Sequence, residues 1–535
     1  MKRIIGLLLA LVMTVSLAAC ASTAPASPAA AEPAAAVEEA EAAAPEGELS
    51  PYEQAIADRR AEYEKTGVYP KVVFSFYDWT GAPEGTARVQ EAMNKILREK
   101  LCLEVELLIL DSAVYTQDVR LMLSSGEQVD WFNSAGLGYS SVVNAGYCTD
   151  LEEDELMQKY APNMRAILGD DYMNACRISG TLYGIPQMRE YAMRVVTCIC
   201  KQYLDGAGIE YTEDPEEQAV VDATWDQIEE IFAKLHETYP DKFVVIPGVV
   251  PGGSIVDPVG GDNFGVLDDP ANSMEIVDMF KCDTFKERCE RNYRWNQMGY
   301  ISKDAMSDTS SLASRFRSGN YMSFIGSGKP GYKAQFSAEA GEEMIIFNMK
   351  DEYVMKSSAI TGILWHLNQN CEDKVAAIQL MDALFSDADL SNLIMWGEEG
   401  VDYVFSEDGH IKFPEGMTTE NAQYYHMVNW ELPNQFIAHI WEGSNLDLWE
   451  KTAVFNDEAP KSKALGFMFD NSELSTEFAA LTNIYDEYYK QIMLGFVDYE
   501  TGVAELEEKL DKAGYQKYME AKQAALNEWA AANGK

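Results

Sequence analysis

The stretch that decides the fold spans residues 71–132 and reads KVVFSFYDWTGAPEGTARVQEAMNKILREKLCLEVELLILDSAVYTQDVRLMLSSGEQVDWF. Short segments rich in β-branched, aromatic and other apolar residues predict strands at 72–77, 103–110 and 129–132. Apolar residues recur at helical spacing over 89–97, and 115–122 predicts a second helix. Strands that alternate with helices through short connections are typical of a parallel sheet, so we predict an α/β protein.

Later segments predict more of both element types. Residues 180–186 (Gly-Thr-Leu-Tyr-Gly-Ile-Pro) predict a hairpin, and 191–201 predicts a strand. Thr224 is a candidate N-cap for a helix over 225–239. The end of the chain predicts three helices, at 476–494, 503–514 and 516–531.

The composition excludes one class of partner. The 535 residues include 42 Lys and Arg against 87 Asp and Glu, a formal charge of −45. Nucleic-acid binding needs basic patches that release counterions from phosphates, so we expect no nucleic-acid partner. With 47% apolar and 11% aromatic residues the chain is nevertheless globular, and its length suffices for two or more domains.

The first twenty residues predict the compartment. Lys2 and Arg3 precede an apolar run that ends in Leu17-Ala-Ala-Cys20, as in a secretory signal peptide over 1–19. Leu-Ala-Ala-Cys resembles the bacterial lipobox, which implies cleavage before Cys20, lipidation of its thiol and an extracellular protein anchored to the cell membrane. The alternative is a plain secretory signal with a chance cysteine. Residues 20–50, rich in Ala, Pro and Glu, predict a flexible tether.

The sequence indicates no zinc site and no cofactor, and it leaves open whether the Gly- and Asp-rich loop over 252–269 holds a calcium ion. Five scattered His show no HExxH or CxxH spacing. Residues 326–329 (Gly-Ser-Gly-Lys) resemble a phosphate loop only superficially, because Pro330 stands where Ser or Thr is required. Cys198 and Cys200 alternate along a predicted strand, which favours a role in core packing.

Several motifs, in this order, resemble the extracellular solute-binding lipoproteins of ABC importers. One is the 180–186 segment, and another is Thr224-Trp-Asp-Gln-Ile228. The sharpest is Gly397-Glu-Glu-Gly-Val-Asp-Tyr403, which is similar to a signature of a large branch of that family, often linked to oligosaccharide uptake. Residues 465–470 followed by helices resemble that branch's C-terminal domain, formerly of unknown function. The chain departs from the pattern at Asp402, where relatives commonly place His.

The resemblance implies a bilobal fold of the type II periplasmic-binding-protein kind. Two α/β lobes would be joined by crossover strands, and the ligand would lie in the cleft between them. We expect the first lobe at 51–190 plus about 355–400, and the second at 191–354 plus about 401–464. Residues 465–535 would form a helical C-terminal domain packed on the lobes.

The candidate ligand-binding residues are aromatic rings and polar groups that could face a sugar. Sugar rings present apolar C–H faces with a rim of hydroxyl groups, which suits flat aromatic side chains beside hydrogen-bonding groups. Each candidate has an alternative role in the core, in a turn or on the surface. The candidates are Asp78, Trp79, Trp131, Tyr191, Trp295, Trp396, Glu399 and Tyr403.

We therefore expect a monomeric, non-enzymatic binding protein. It would capture a small solute, which we expect to be an oligosaccharide, and deliver it to the membrane subunits of an ABC permease. Two alternatives stay open: a surface-anchored glycan hydrolase, and a binding protein for a peptide or another small solute. Hydrolysis needs two carboxyl groups about 5–10 Å apart, and no such pair can be picked out of 87 acidic residues by sequence.

Overall fold

The computed structural model describes residues 49–79, 81–248, 256–308, 310, 312–419, 421–426 and 428–535. The predicted signal peptide, the lipidation at Cys20 and nearly all of the predicted tether lie outside these residues. No helix in the described part of the chain is long and apolar enough to cross a membrane.

Strands and helices are numbered in chain order. The strands are β1 (Lys71–Asp78), β2 (Glu104–Asp111), β3 (Trp131–Asn133), β4 (Arg177–Ile178), β5 (Thr181–Leu182), β6 (Met193–Cys200), β7 (Val220–Ala223), β8 (Phe243–Ile246), β9 (Tyr321–Gly328), β10 (Met344–Val354), β11 (Trp365–Leu367), β12 (Val404–Phe405) and β13 (Ile411–Lys412). The α-helices are α1 (Pro51–Thr66), α2 (Thr86–Lys100), α3 (Ser112–Ser125), α4 (Tyr139–Asn144), α5 (Leu156–Tyr160), α6 (Pro162–Ala175), α7 (Lys201–Gly206), α8 (Trp225–Thr238), α9 (Asp283–Gln297), α10 (Leu312–Arg317), α11 (Tyr332–Ala340), α12 (Lys374–Ser386), α13 (Ala388–Trp396), α14 (Leu448–Glu458), α15 (Ser475–Met493), α16 (Tyr499–Lys512) and α17 (Tyr515–Ala532).

The first lobe is built on the sheet that the opening stretch predicts. Its strand order is β11-β3-β1-β2, with β1 parallel to both β2 and β3, and β11 antiparallel to β3. β1 is almost wholly buried, which is why its sequence is a continuous apolar run rather than an alternating one. The predicted parallel α/β unit is confirmed.

The second lobe holds a mixed sheet of order β7-β10-β6-β9-β8. The long central strand β6 pairs antiparallel with β10 and with β9. Helix α8 covers this sheet and begins as predicted, because the Thr224 side chain accepts from the backbone N–H of Gln227 while the Gln227 side chain accepts from that of Thr224. Together the lobes give the bilobal α/β fold expected from the sequence.

A third hydrophobic cluster belongs to the C-terminal helices. α15, α16 and α17 lie where the sequence predicts them, each within a few residues. Their apolar faces pack against residues of the 256–289 segment, which the sequence assigned to the second lobe. The fully buried Lys522 of α17 joins the two parts, since its ammonium donates to Asp262 at 2.7 Å.

The grouping of the core differs from the predicted lobe boundaries at a second place. Residues 424–459 contribute Tyr424, Val428, Leu432, Ala438 and Ala459 to the hydrophobic core of the first lobe. The family resemblance placed 401–464 in the second lobe, and no hydrophobic period in this stretch shows which core it covers.

The lobes are connected where the chain passes between their cores. Residues 191 and 192 belong to the first core and residue 195 to the second, so the connection before β6 is one crossover. The chain crosses between the lobes a second time at the end of β10. Met355, which follows β10, pairs with Lys461 in an isolated parallel bridge. All eight cysteines of the described chain are buried and unpaired, so this architecture is stabilised without disulfides.

Candidate ligand-binding site

A cavity of about 360 Å³ lies between the two lobes. One wall comes from the second lobe, where residues 329–331 follow the carboxyl end of β9 and lead into α11. The opposite wall comes from the first lobe, from Trp396 at the end of α13 and from residues of the 425–452 segment. The volume falls in the range of small-molecule sites.

Aromatic side chains form much of the first-lobe wall. They are half-buried, so each ring keeps part of its surface toward solvent or the cavity. The ring centroid of Trp441 lies 5.3 Å from that of Trp396 and 5.8 Å from that of Tyr425. The five rings that line the cavity are Trp396, Tyr425, Trp430, Trp441 and Trp449.

Several polar atoms of the cavity wall have no hydrogen-bond partner among the described residues. They are Nε1 of Trp396, Nδ1 of His426, Oδ1 of Asn429 and Oε1 of Gln435. Buried polar atoms in folded proteins are nearly always paired, so these four atoms are available for partners that the described residues do not supply.

The tautomer of His426 follows from its one hydrogen bond. Nε2 lies 2.9 Å from the carbonyl oxygen of Ile394, and a carbonyl only accepts, so Nε2 carries the proton and Nδ1 is an acceptor. Burial lowers the pKa of His426, and burial likewise lowers the pKa of His439 in the same wall. Both imidazoles are therefore neutral near pH 7.

The cavity carries one buried ion pair. Nζ of Lys329 donates to Oε1 of Glu190 at 2.5 Å, and the two side chains are only 13% and 4% exposed. Lys329 follows β9 of the second lobe, whereas Glu190 precedes the crossover into β6. Glu442, the other acidic residue of the wall, is exposed.

The Gly397–Tyr403 motif forms a turn that is tied to the first lobe. The Arg88 guanidinium of α2 donates to both carboxylate oxygens of Asp402, at 2.9 and 2.7 Å, and to Glu398 at 2.7 Å. Asp402 also accepts from the backbone N–H of Glu398 at 2.8 Å. Gly397 adopts a φ of +83°, and a Cβ there would lie 2.2 Å from a carboxylate oxygen of Asp402. The turn therefore requires this glycine.

Comparisons with known proteins agree with this fold. Residues 463–531 match a domain of unknown function, DUF3502. A carbohydrate ABC transporter substrate-binding protein of Streptococcus pneumoniae serotype 4 is 22% identical over 473 residues, which cover 86% of this chain and 91% of that protein. The crystal structure of the N-glycan transport solute-binding protein NgtS from Streptococcus pneumoniae superposes with a TM-score of 0.75 at 22% identity, covering 87% of this chain and all of that one. The fold is that of a solute-binding protein.

Of the predicted site residues, the structure of this solute-binding fold brings one directly to the cavity. Trp396 lines it, and its indole Nε1 is unpaired. Tyr403 lies close behind, with its ring centroid 5.8 Å from that of His439; burial raises the pKa of Tyr403 to about 12. Trp79 is 53% exposed and connects to the wall through Tyr77, whose ring contacts both Trp79 and Trp430.

Three of the predicted aromatic residues lie in cores instead. Trp131 is fully buried and its Nε1 donates to the carbonyl of Ala377 at 2.8 Å. Trp295 is buried in the second core against Phe232. Tyr191 is buried at the crossover, where its hydroxyl donates to a backbone carbonyl. None of the three lines the cavity, because neighbouring elements enclose their rings.

The two remaining candidates are acidic. Asp78, the last residue of β1, is buried and interacts with another group of the protein. Glu399 is exposed in the turn, next to the Glu398 that pairs with Arg88. Neither lines the cavity, and a ligand contact for either one stays a prediction.

The sequence did not predict most of the residues that form the first-lobe wall of the cavity. The missed residues are Tyr425, His426, Asn429, Trp430, Gln435, His439, Trp441 and Trp449. One signal could have found them: three Trp fall within residues 430–449, a stretch with neither helical nor strand periodicity. Aromatic residues that no core periodicity explains are candidates for a binding surface.

Proposed function

We propose that this chain is the solute-binding component of a carbohydrate ABC importer and that it binds an oligosaccharide in the interlobe cavity. The observation that carries the proposal is the cavity wall itself, in which five aromatic rings stand beside unpaired polar atoms of four side chains. Rings of this kind stack on the C–H faces of sugars, and unpaired donors and acceptors suit hydroxyl groups.

The relatives support the same ligand class. One is named a carbohydrate ABC transporter substrate-binding protein, and structures of NgtS contain Man1GlcNAc and Man5GlcNAc. The alternative of a glycan hydrolase is less well supported, because Glu190 in the cavity is engaged with Lys329 and the other carboxyl group of the described wall, Glu442, is exposed rather than in the buried setting that keeps a carboxyl group protonated. A hydrolase instead needs one carboxyl group free to protonate the leaving oxygen.

Calorimetric titration tests the ligand class. We expect a member of a panel of manno-, cello- and chito-oligosaccharides to bind, with affinity that falls when Trp430 is replaced by Ala. Substitution of the buried Trp131, Trp131→Phe, is the matched control for a general effect of losing an indole, because its ring does not line the cavity. Failure of every sugar to bind, together with tight binding of a peptide, would refute the carbohydrate assignment.

The proposal includes lipid anchoring at Cys20 and delivery to permease subunits. Mass spectrometry of the chain purified from bacterial membranes should show a lipidated N-terminal cysteine, and the Cys20→Ala variant should carry no lipid and keep its uncleaved signal peptide. Deletion of the gene should abolish uptake of the bound oligosaccharide by the producing cells, and uptake should return with the intact gene. Unchanged uptake after deletion would contradict delivery to an importer.

A further inference from the structure

The charged groups of the cavity are few, and their arrangement is informative. Among the described residues that line it, the ionisable side chains that can carry charge near pH 7 are Glu190, Lys329 and Glu442, since His426 and His439 are kept neutral by burial. Lys329 is the one cation of this described wall. The nearby Arg189 does not line the cavity, and its guanidinium lies over the rings of Tyr191 and Trp430.

Lys329 is already paired. Its ammonium lies 2.5 Å from Glu190, and the carboxylate it contacts is almost fully buried. A ligand carboxylate, sulfate or phosphate entering the cavity would therefore find the cation neutralised, and it would lie near two carboxylates. Burying a charge without a partner is costly, whereas hydroxyl groups meet the unpaired Trp396, Asn429 and Gln435 atoms without that cost.

We propose that Glu190 is a specificity-determining residue, which makes the cavity select uncharged oligosaccharides over acidic ones by neutralising Lys329. This inference rests on the proposed function and adds the charge class of the ligand to it. It also predicts that a variant without the Glu190 charge loses or inverts the preference for uncharged sugars, because the Lys329 ammonium is then free to pair with an acidic sugar.

The probes are the tightest-binding neutral member of the oligosaccharide panel and the same oligosaccharide oxidised at C6 to a uronate. Calorimetry on the full chain gives the ratio of the two dissociation constants for each variant, so a general loss of affinity cancels. In the unmodified protein we expect the uronate to bind at least about tenfold more weakly. In Glu190→Gln the ratio should fall to about one or invert.

Two further variants distinguish the effect of the unpaired Lys329 ammonium from the effect of a change in net charge. Glu442→Gln changes the net charge by the same amount without freeing a cation, and it should keep most of the discrimination. Glu190→Gln combined with Lys329→Met removes both charges, and it should restore the discrimination. Thermal unfolding of each variant, with and without the uronate, checks folding, and the uronate should raise the melting temperature of Glu190→Gln most.

The outcomes distinguish this inference from the proposed function. Equal binding of both probes by the unmodified protein, or an unchanged ratio in Glu190→Gln, would overturn the role of Glu190 and leave carbohydrate binding intact. A fall in the ratio of equal size in Glu442→Gln would also overturn it, because overall charge would then explain the effect. Absence of binding by every sugar would refute the proposed function and this inference with it.

Discussion

The anchor formed by Arg88 and Asp402 makes a quantitative prediction. Asp402→Asn keeps the side-chain size but removes the charge and turns one acceptor into a donor, which faces the Arg88 guanidinium or the backbone N–H of Glu398. The Asp402 side chain is 1% exposed and that of Arg88 31%. Breaking a buried pair costs about 3–5 kcal/mol, and we take the lower end because Arg88 keeps Glu398 and contact with water. The free energy of unfolding should fall by about 3 kcal/mol.

The assay is urea unfolding of the two single variants Asp402→Asn and Arg88→Met and of the double variant. We expect a coupling energy of about 2 kcal/mol between the two positions. The exposed pair of Lys71 and Glu106 is the matched control: Glu106→Gln should cost less than about 1 kcal/mol.

Ligand titration of the folded variants completes the test of the anchor. If Asp402 serves only to hold the turn, the folded Asp402→Asn protein still binds ligand. Lost ligand binding with a free energy of unfolding within about 0.5 kcal/mol of the unmodified protein would refute the anchor and make Asp402 a ligand contact.

Three further predictions concern other parts of the molecule. Trp430→Ala should weaken oligosaccharide binding by roughly 30-fold in calorimetry, since buried Trp side chains commonly contribute about 2 kcal/mol or more at binding surfaces, and an unchanged dissociation constant would exclude Trp430 from the site. Burial lowers the pKa of His366 to about 4, so the unfolded chain takes up a proton below about pH 6.5 that the folded chain refuses. The contribution of His366 to the free energy of unfolding is complete above pH 6.5 and should decline by about 3 kcal/mol as the pH falls to 4. Urea titrations at several pH values measure this decline, and the His366→Gln variant should not show it. Lys522→Met should lower the melting temperature by several degrees because it leaves Asp262 without its buried partner, and adding Asp262→Asn should recover part of the loss in calorimetric scans.

Those parts of the fold that depend on local pattern were predictable from the sequence. The strands β1 and β2 follow from apolar runs, and α8 follows from a capping residue before an amphipathic helix. The C-terminal helices follow from the same 3.6-residue period. Each of these signals lies within about 20 residues of sequence, so no knowledge of distant contacts is needed.

The site was less predictable because it depends on which distant segments enclose a residue. The sequence treats Trp79 and Trp131 alike, as residues at the carboxyl end of a strand, but Trp79 follows β1 whereas Trp131 is the first residue of β3. In the structure Trp79 stays half exposed, whereas Trp131 is enclosed and donates to a carbonyl of α12. The wall at 425–447 consists of turns and two single-turn 3-10 helices, and Trp449 lies in the first turn of α14, so no periodicity marks which side chains face inward.

The location of the 443–451 segment links ligand binding to the distance between the lobes. Leu448 and Trp449 in this segment line the cavity, and Trp449 packs on the first core. The same segment reaches the second lobe, where Lys451 and Asn445 donate to Glu216 and where the side chain of Gln218 donates to the carbonyl of Gly443. These bonds hold this part of the cavity wall at one separation from the second lobe. Because a ligand shifts a conformational equilibrium only by its differential affinity for the two states, a ligand that contacts both walls would favour this arrangement over one in which the lobes lie further apart.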